Sequence, residues 1–129
     1  MEGAEAIVVE DDPVTRRMIS ACLRRMGLRV LEAASAAEAT ALLDRTTPSL
    51  ICLDVVLPDA CGLSLCEQMR SSPRLREVPV IVITGGSRPI DRDRAELAGV
   101  DAFMVKPVGA AALTRSVREL IALSSVAPS

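Results

Sequence analysis

The chain has 129 residues, half of them hydrophobic and a quarter charged, with 15 basic and 17 acidic side chains and a net charge of -2. That balance suits one domain of ordinary size with a full core, and it offers no basis for a nucleic-acid surface or for adsorption to a membrane. There is no histidine, which excludes Ser-His and Cys-His catalysis and most transition-metal sites, and leaves carboxylates, which suit hard cations such as magnesium.

Taken in chain order, the opening MEGAEAIVVEDD lacks the basic region and long apolar core of a secretory signal. No apolar run nears the roughly 20 residues of a membrane span, so a cytoplasmic protein is expected. AIVV (6–9) reads as a first strand, continuous rather than alternating, as in a parallel sheet buried on both faces. PVTRRMISACLRRMG follows as a helix, with Asp12 as its N-cap, Pro13 in its first turn and Gly27 at its end. RVLEA (29–33) is a weaker second strand. SAAEATALLDR is a helix that opens on a capping box, Ser35 with Glu38. LICL (50–53) and VPVIVIT (78–84) are the third and fourth strands, with a helix, LSLCEQMRS, between them. IDRDRAELAG is the fourth helix, AFMV (102–105) the fifth strand and AALTRSVRELIAL the last helix. SSVAPS (124–129) reads as a tail.

The pattern is strand then helix, five times over. It predicts an α/β fold, flavodoxin-like and doubly wound, (βα)5, with a parallel five-stranded sheet in the order 2-1-3-4-5. One domain is expected over 1–129, with its core at about 5–123. Cys22, Cys52, Cys61 and Cys66 match no zinc or CxxC spacing and read as reduced, mostly buried thiols.

In such a sheet ligands bind beyond the carboxyl ends of the strands, at the point where strand order reverses. Here that point lies between the first strand, which ends in Glu10, Asp11 and Asp12, and the third, which ends in Asp54. Several carboxylates in one pocket repel unless a cation neutralises them, and magnesium needs few carboxylates because it keeps waters. The fourth strand ends in Thr84, before Gly85 and Gly86, where a hydroxyl and backbone N–H groups could hold an anion. The fifth ends in Lys106-Pro107, and Lys106 is the only lysine, the other 14 basic residues being arginines. Acids, cation, hydroxyl and ammonium together suit phosphoryl transfer, in which an aspartate can be the nucleophile.

VVEDDPVTRR, LDVVLPDACG, VPVIVITG and FMVKPV, in that order and at that spacing, resemble the receiver domain of two-component response regulators over almost the whole chain. The resemblance implies that Asp54 is the phosphoacceptor, within D-x-x-L-P-x-x-x-G. It implies that Asp11 binds magnesium directly, Glu10 through a metal-bound water and Val56 through its backbone carbonyl. Thr84 is then the switch hydroxyl, Lys106 the partner of a phosphoryl oxygen and Phe103, the only aromatic, the switch ring of the fifth strand. Pro107 would follow a cis bond.

Read this way, the chain is a phosphorylation-dependent switch. A histidine kinase or histidine phosphotransfer protein donates the phosphoryl group, and a downstream protein target or effector domain reads the result. The domain catalyses only its own phosphorylation and slow dephosphorylation and is not otherwise an enzyme. Val56 and Gly86 occupy the positions whose side chains tune hydrolysis in the family, and neither can orient a water, so a long-lived phosphoryl group is expected. An aspartate-nucleophile phosphatase would need a second acid where Val56 stands. The remaining alternative is a receiver-like interaction module that works without phosphorylation, although degenerate relatives typically lose an acid, the lysine or the hydroxyl. Dimerisation is left open. Ala112 stands where DNA-binding relatives often carry a glutamate, and VDAF lacks their second acid, which argues against their dimer mode. Asp59 and Asp101 read as turn acids, and Arg16, Arg17, Arg24, Arg25 and Arg29 as a solvated basic cluster.

Overall fold

The computed structural model describes residues 4–85 and 89–125. Within them strands and helices alternate: β1 Glu5–Val9, α1 Pro13–Arg25, β2 Arg29–Ala33, α2 Ala36–Leu43, β3 Leu50–Asp54, α3 Gly62–Arg70, β4 Val80–Thr84, α4 Pro89–Leu97, β5 Ala102–Val105 and α5 Ala110–Ser125. The strands form one parallel sheet in the order β2-β1-β3-β4-β5, so the expected architecture and strand order both hold. α5 takes in Ser124 and Ser125, expected as tail, while 126–129 lie outside the described residues.

The continuous apolar strands serve two cores at once, because successive side chains point to opposite faces. Ile7, Val9, Ile51, Leu53, Val80 and Val82 face α2, α3 and α4, where they meet Ala39, Leu43, Leu63, Cys66, Met69 and Ala95. Ala6, Val8, Leu50, Cys52, Ile81 and Ile83 face α1 and α5, where they meet Ile19, Cys22, Leu23, Leu113 and Val117. All these side chains are buried. Truncating one of the larger ones, such as Ile51 or Leu63, to alanine costs about 2–5 kcal/mol.

Local signals set the helix ends. The Asp12 carboxylate accepts from the Thr15 N–H at 3.0 Å, and Pro13 opens α1. Gly27, with φ of 91°, supplies the left-handed residue that ends it. Ser35 accepts from the Glu38 N–H at 3.1 Å, whereas the Glu38 carboxylate reaches the N–H of Ala34, one residue before the cap. β4 begins two residues later than expected. The Val78 N–H is spent on the Leu75 carbonyl in the preceding turn, and Pro79 has no N–H, so only its carbonyl joins the ladder, accepting from Ile51 at 3.0 Å.

All four cysteines are free thiols, and three are buried. Burial, with Cys22 nearby, pushes the Cys52 thiol up to about 12. The Cys66 thiol donates to the Ala98 carbonyl at 3.2 Å. The Lys106–Pro107 bond is cis.

Candidate functional site

Parallel pairing brings the strand ends to a common rim. In register, Val9 lies beside Leu53, Asp54 beside Ile83 and Thr84 beside Val105. The residues that follow, Glu10 after β1 and Lys106 after β5, therefore meet Asp54 and Thr84 at one edge. The Lys106 N–H donates to the Thr84 carbonyl at 2.7 Å, which fixes where its side chain starts.

Asp54 is almost wholly buried, at 5% exposure, and both its oxygens are engaged. Oδ1 accepts from the Val56 N–H at 3.0 Å, and Oδ2 accepts from Lys106 Nζ at 2.8 Å. Glu10 is buried still deeper, at 1%. Its Oε2 accepts from the Asp12 N–H at 3.2 Å. Its Oε1 lies 2.5 Å from Lys106 Nζ, a buried ion pair. Burial pushes the Glu10 carboxyl above the usual range, and the Asp54 charge adds to it, against the pull of Lys106 and the Asp12 N–H. Burial alone would lower the Lys106 ammonium, but its contacts with Asp54 and Glu10 outweigh that and hold it above its usual value.

Glu10, Asp11 and Asp54 each place a carboxylate oxygen within 4.8 Å of the others, with Asp11 exposed to solvent. Three carboxylates against one ammonium leave an excess of negative charge suited to a divalent ion. The donors are all oxygen, which selects a hard cation. These residues therefore fit magnesium.

Of the residues singled out from sequence, Glu10, Asp11, Asp54 and Lys106 come together, and Thr84 is buried at the same rim. Val56 stands two residues after Asp54, 70% exposed, with its N–H on the Asp54 carboxylate. Phe103 is half-buried on the α4 side of the sheet, with the Arg92 guanidinium 4.8 Å from its ring centroid. Gly86 lies outside the described residues.

Four residues have roles that sequence reading missed. Arg16, placed there in a solvated basic cluster, donates to the Glu10 carbonyl at 2.8 Å and pairs with Glu32 at 3.1 Å, so it holds the acid-bearing turn against β2. Asp59 and Asp101 bind backbone amides of other elements, Asp59 at Ala36 and Ala37 and Asp101 at Val80. Arg70 binds the carbonyls of Arg76, Val78 and Gly99. Most of these partners are main-chain groups, which carry no side-chain signature.

The family model of the response regulator receiver domain matches residues 6–118. An uncharacterised 14.6 kDa protein of Leptolyngbya boryana is 35% identical over 115 residues, 89% of this chain and 88% of that protein. The transcriptional regulatory protein GltR of Pseudomonas aeruginosa is 33% identical over 92% of this chain, which spans about half (49%) of that regulator. Among solved structures, the receiver domain of a signal transduction histidine kinase from Syntrophus aciditrophicus has a TM-score of 0.88 at 32% identity, covering 98% of this chain and 95% of that one. The receiver domain of a sensor histidine kinase from Pseudomonas aeruginosa has a TM-score of 0.85 at 32% identity, covering 93% and 98%, and carries a magnesium ion coordinated in its active-site cleft. No described helix here is long and apolar enough to cross a membrane.

Proposed function

The chain belongs to the response regulator receiver domain family of two-component signalling, and from that premise we propose that Asp54 accepts a phosphoryl group from a phosphohistidine and that its altered charge resets a protein-binding surface. The observation that carries this reading is the Lys106 ammonium held between Asp54 and Glu10 at the meeting of four strand ends.

An Asp54 oxygen attacks phosphorus in line with the leaving imidazole nitrogen. The P–N bond breaks as the new P–O bond forms, and the imidazole leaves with its electron pair and takes up a proton from solvent. The Val56 N–H on Oδ1 sets the plane of the carboxylate before the donor arrives. Lys106, already at Oδ2, moves to a phosphoryl oxygen as charge passes outward. Glu10, Asp11, Asp54 and the Val56 carbonyl would hold magnesium, which when bound neutralises charge on the phosphoryl oxygens. Thr84 turns its hydroxyl to the phosphoryl group, and Phe103 follows. The surface of α4, β5 and α5 then shifts between two states that both exist beforehand.

The donor is a histidine kinase or histidine phosphotransfer protein in the cytoplasm, and the reader is a target protein or an effector domain, with no direct contact to nucleic acid or membrane. The domain turns over no other substrate. Val56, with an exposed apolar side chain beside Asp54, supports slow hydrolysis of the phosphoryl group.

Intact mass after incubation with acetyl phosphate tests this. One added phosphoryl group is expected with magnesium, and none without it or in Asp54→Asn. No gain from acetyl phosphate or from a phosphohistidine donor, in folded protein with magnesium present, would favour an interaction module that works without phosphorylation.

A further inference from the structure

The end of β2 and the start of α2 supply none of the residues assigned to the site, yet the β1–α1 turn is fastened to the first and the β3–α3 loop to the second. On one side the Glu10 N–H donates to the Ala33 carbonyl at 3.0 Å. On the other Asp59, in the loop between β3 and α3, receives the Ala36 N–H on Oδ1 and the Ala37 N–H on Oδ2, both at 2.9 Å. Ser35 takes the Glu38 N–H, so the first amides of α2 are divided between a cap from its own end and a carboxylate from a loop more than twenty residues further along the chain.

Among the described residues, the other polar contacts of the β3–α3 loop are local. Val56 binds back to Asp54, the Leu57 N–H donates to the Ala60 carbonyl at 3.2 Å, and the Gly62 N–H donates to the Val55 carbonyl at 2.7 Å. They give the loop its shape. Apart from Val55 and Leu57, buried in the core, and Cys61 packed against it, the tie among the described residues that sets where this loop stands relative to the β1–α1 turn is Asp59. Two parallel charge-assisted bonds to adjacent amides fix orientation as well as distance.

We propose that Asp59 is a positioning residue for the metal site, clamping the β3–α3 loop to the start of α2 so that the Val56 carbonyl stands at the correct separation from Glu10, Asp11 and the strand-held Asp54 before a cation arrives. This rests on the reading of those four residues as the magnesium ligands. Ligands ordered in advance do not have to be ordered on binding, so loss of the clamp appears as loss of affinity.

The experiment is a magnesium titration of the whole chain without phosphodonor, followed by calorimetry and by amide shifts in NMR, on the unsubstituted protein and on Asp59→Ala, Asp59→Asn and Ser35→Ala. Asp59→Ala is expected to weaken magnesium binding roughly tenfold, as losses of such supporting contacts do, and to speed amide exchange at Ala36 and Ala37. Asp59→Asn, with one acceptor left, should fall between. Ser35→Ala frays the same helix without touching the loop, so it should lower thermal stability and leave magnesium affinity within about twofold. Asp59→Ala affinity within about twofold of the unsubstituted protein, with exchange at Ala36 and Ala37 accelerated, overturns the inference and leaves the metal site standing. Equal losses in Asp59→Ala and Ser35→Ala overturn it by tracing the effect to the helix. If the unsubstituted protein binds no magnesium, the metal-site reading itself falls, and the inference with it.

Discussion

Lys106 Nζ stands between carboxylates at the ends of two different strands, 2.8 Å from Asp54 Oδ2 and 2.5 Å from Glu10 Oε1, with both acids buried. One ammonium thus holds together the acids that its removal would leave facing each other. Lys106→Met keeps most of the apolar stem and deletes the charge. In the absence of magnesium it should cost about 1–3 kcal/mol, because charged hydrogen bonds are lost and buried charge is left uncompensated. Magnesium should restore more stability to the variant than to the unsubstituted protein, since a bound cation contributes to the native state alone. Urea unfolding of both proteins with and without magnesium measures the two effects. A variant as stable as the parent without magnesium would show that Lys106 is not what balances the pocket.

The acids around this site respond to pH with opposite signs. Burial raises Glu10 above its ordinary 4.5, with a further push from Asp54. The Thr15 hydroxyl and N–H lower Asp12, and the Ala36 and Ala37 amides lower Asp59, both from an ordinary 3.8. A raised group binds its proton more tightly in the folded state, so the contribution of Glu10 is complete below 4.5 and is lost as pH rises through its folded value. Asp12 and Asp59 contribute above 3.8 and lose that contribution as pH falls through their lowered values. Carboxyl NMR of the magnesium-free protein should place the Glu10 midpoint above 4.5 and those of Asp12 and Asp59 below 3.8. A Glu10 midpoint at or below 4.5 would mean that the pocket is wetter than its burial implies.

Much of this was legible because a parallel sheet turns sequence into geometry. Each apolar run points the same way, so the residue after each run falls on one rim, and Glu10, Asp54, Thr84 and Lys106 could be placed together before any distance was known. Cap residues were legible for a similar reason, since Asp12 and Ser35 act within three residues of themselves. What stayed hidden depends on contacts between side chains and distant main chain. Asp59 is an ordinary turn acid by composition, and only the packing of α2 beside the β3–α3 loop gives it two amides to bind. β4 was read two residues too long because Val78 is as apolar as its neighbours; its N–H, spent on Leu75, decides the matter. That Arg92 stacks on Phe103 likewise depends on how α4 lies against β5.

Gly62 opens α3 directly against the end of β3. A Cβ there would overlap the Asp54 carbonyl oxygen and the Leu53 side chain, and the carbonyl belongs to a strand paired on both sides, so it cannot move away cheaply. Gly62→Ala should therefore destabilise the protein by about 1–3 kcal/mol, and the displaced strand end should also slow phosphorylation by acetyl phosphate. Thermal unfolding and the intact-mass time course read the two effects. Normal stability with slow phosphorylation would separate the strand-end displacement from overpacking.

Arg70, at the end of α3, gathers the main chain of two other segments. Its Nε and Nη2 donate to the Gly99 carbonyl at 2.9 and 2.8 Å, and Nη1 donates to the carbonyls of Arg76 at 3.0 Å and Val78 at 2.8 Å. Nη2 also pairs with Asp101 at 2.9 Å, and the same Asp101 oxygen accepts from the Val80 N–H at 2.8 Å, where β4 starts. Gly99, at φ of +82°, lies so close that a Cβ there would sit 2.9 Å from Arg70 Nε. Removing the guanidinium takes this donor from two partly buried carbonyls at once, those of Gly99 and Val78, so Arg70→Ala should cost about 2–3 kcal/mol. Arg70→Lys should recover little of it, because a single ammonium on a flexible stem cannot span carbonyls that a planar fork reaches together. Chemical denaturation of both variants decides the point, and a lysine variant as stable as the parent would reduce the role of Arg70 to its charge beside Asp101.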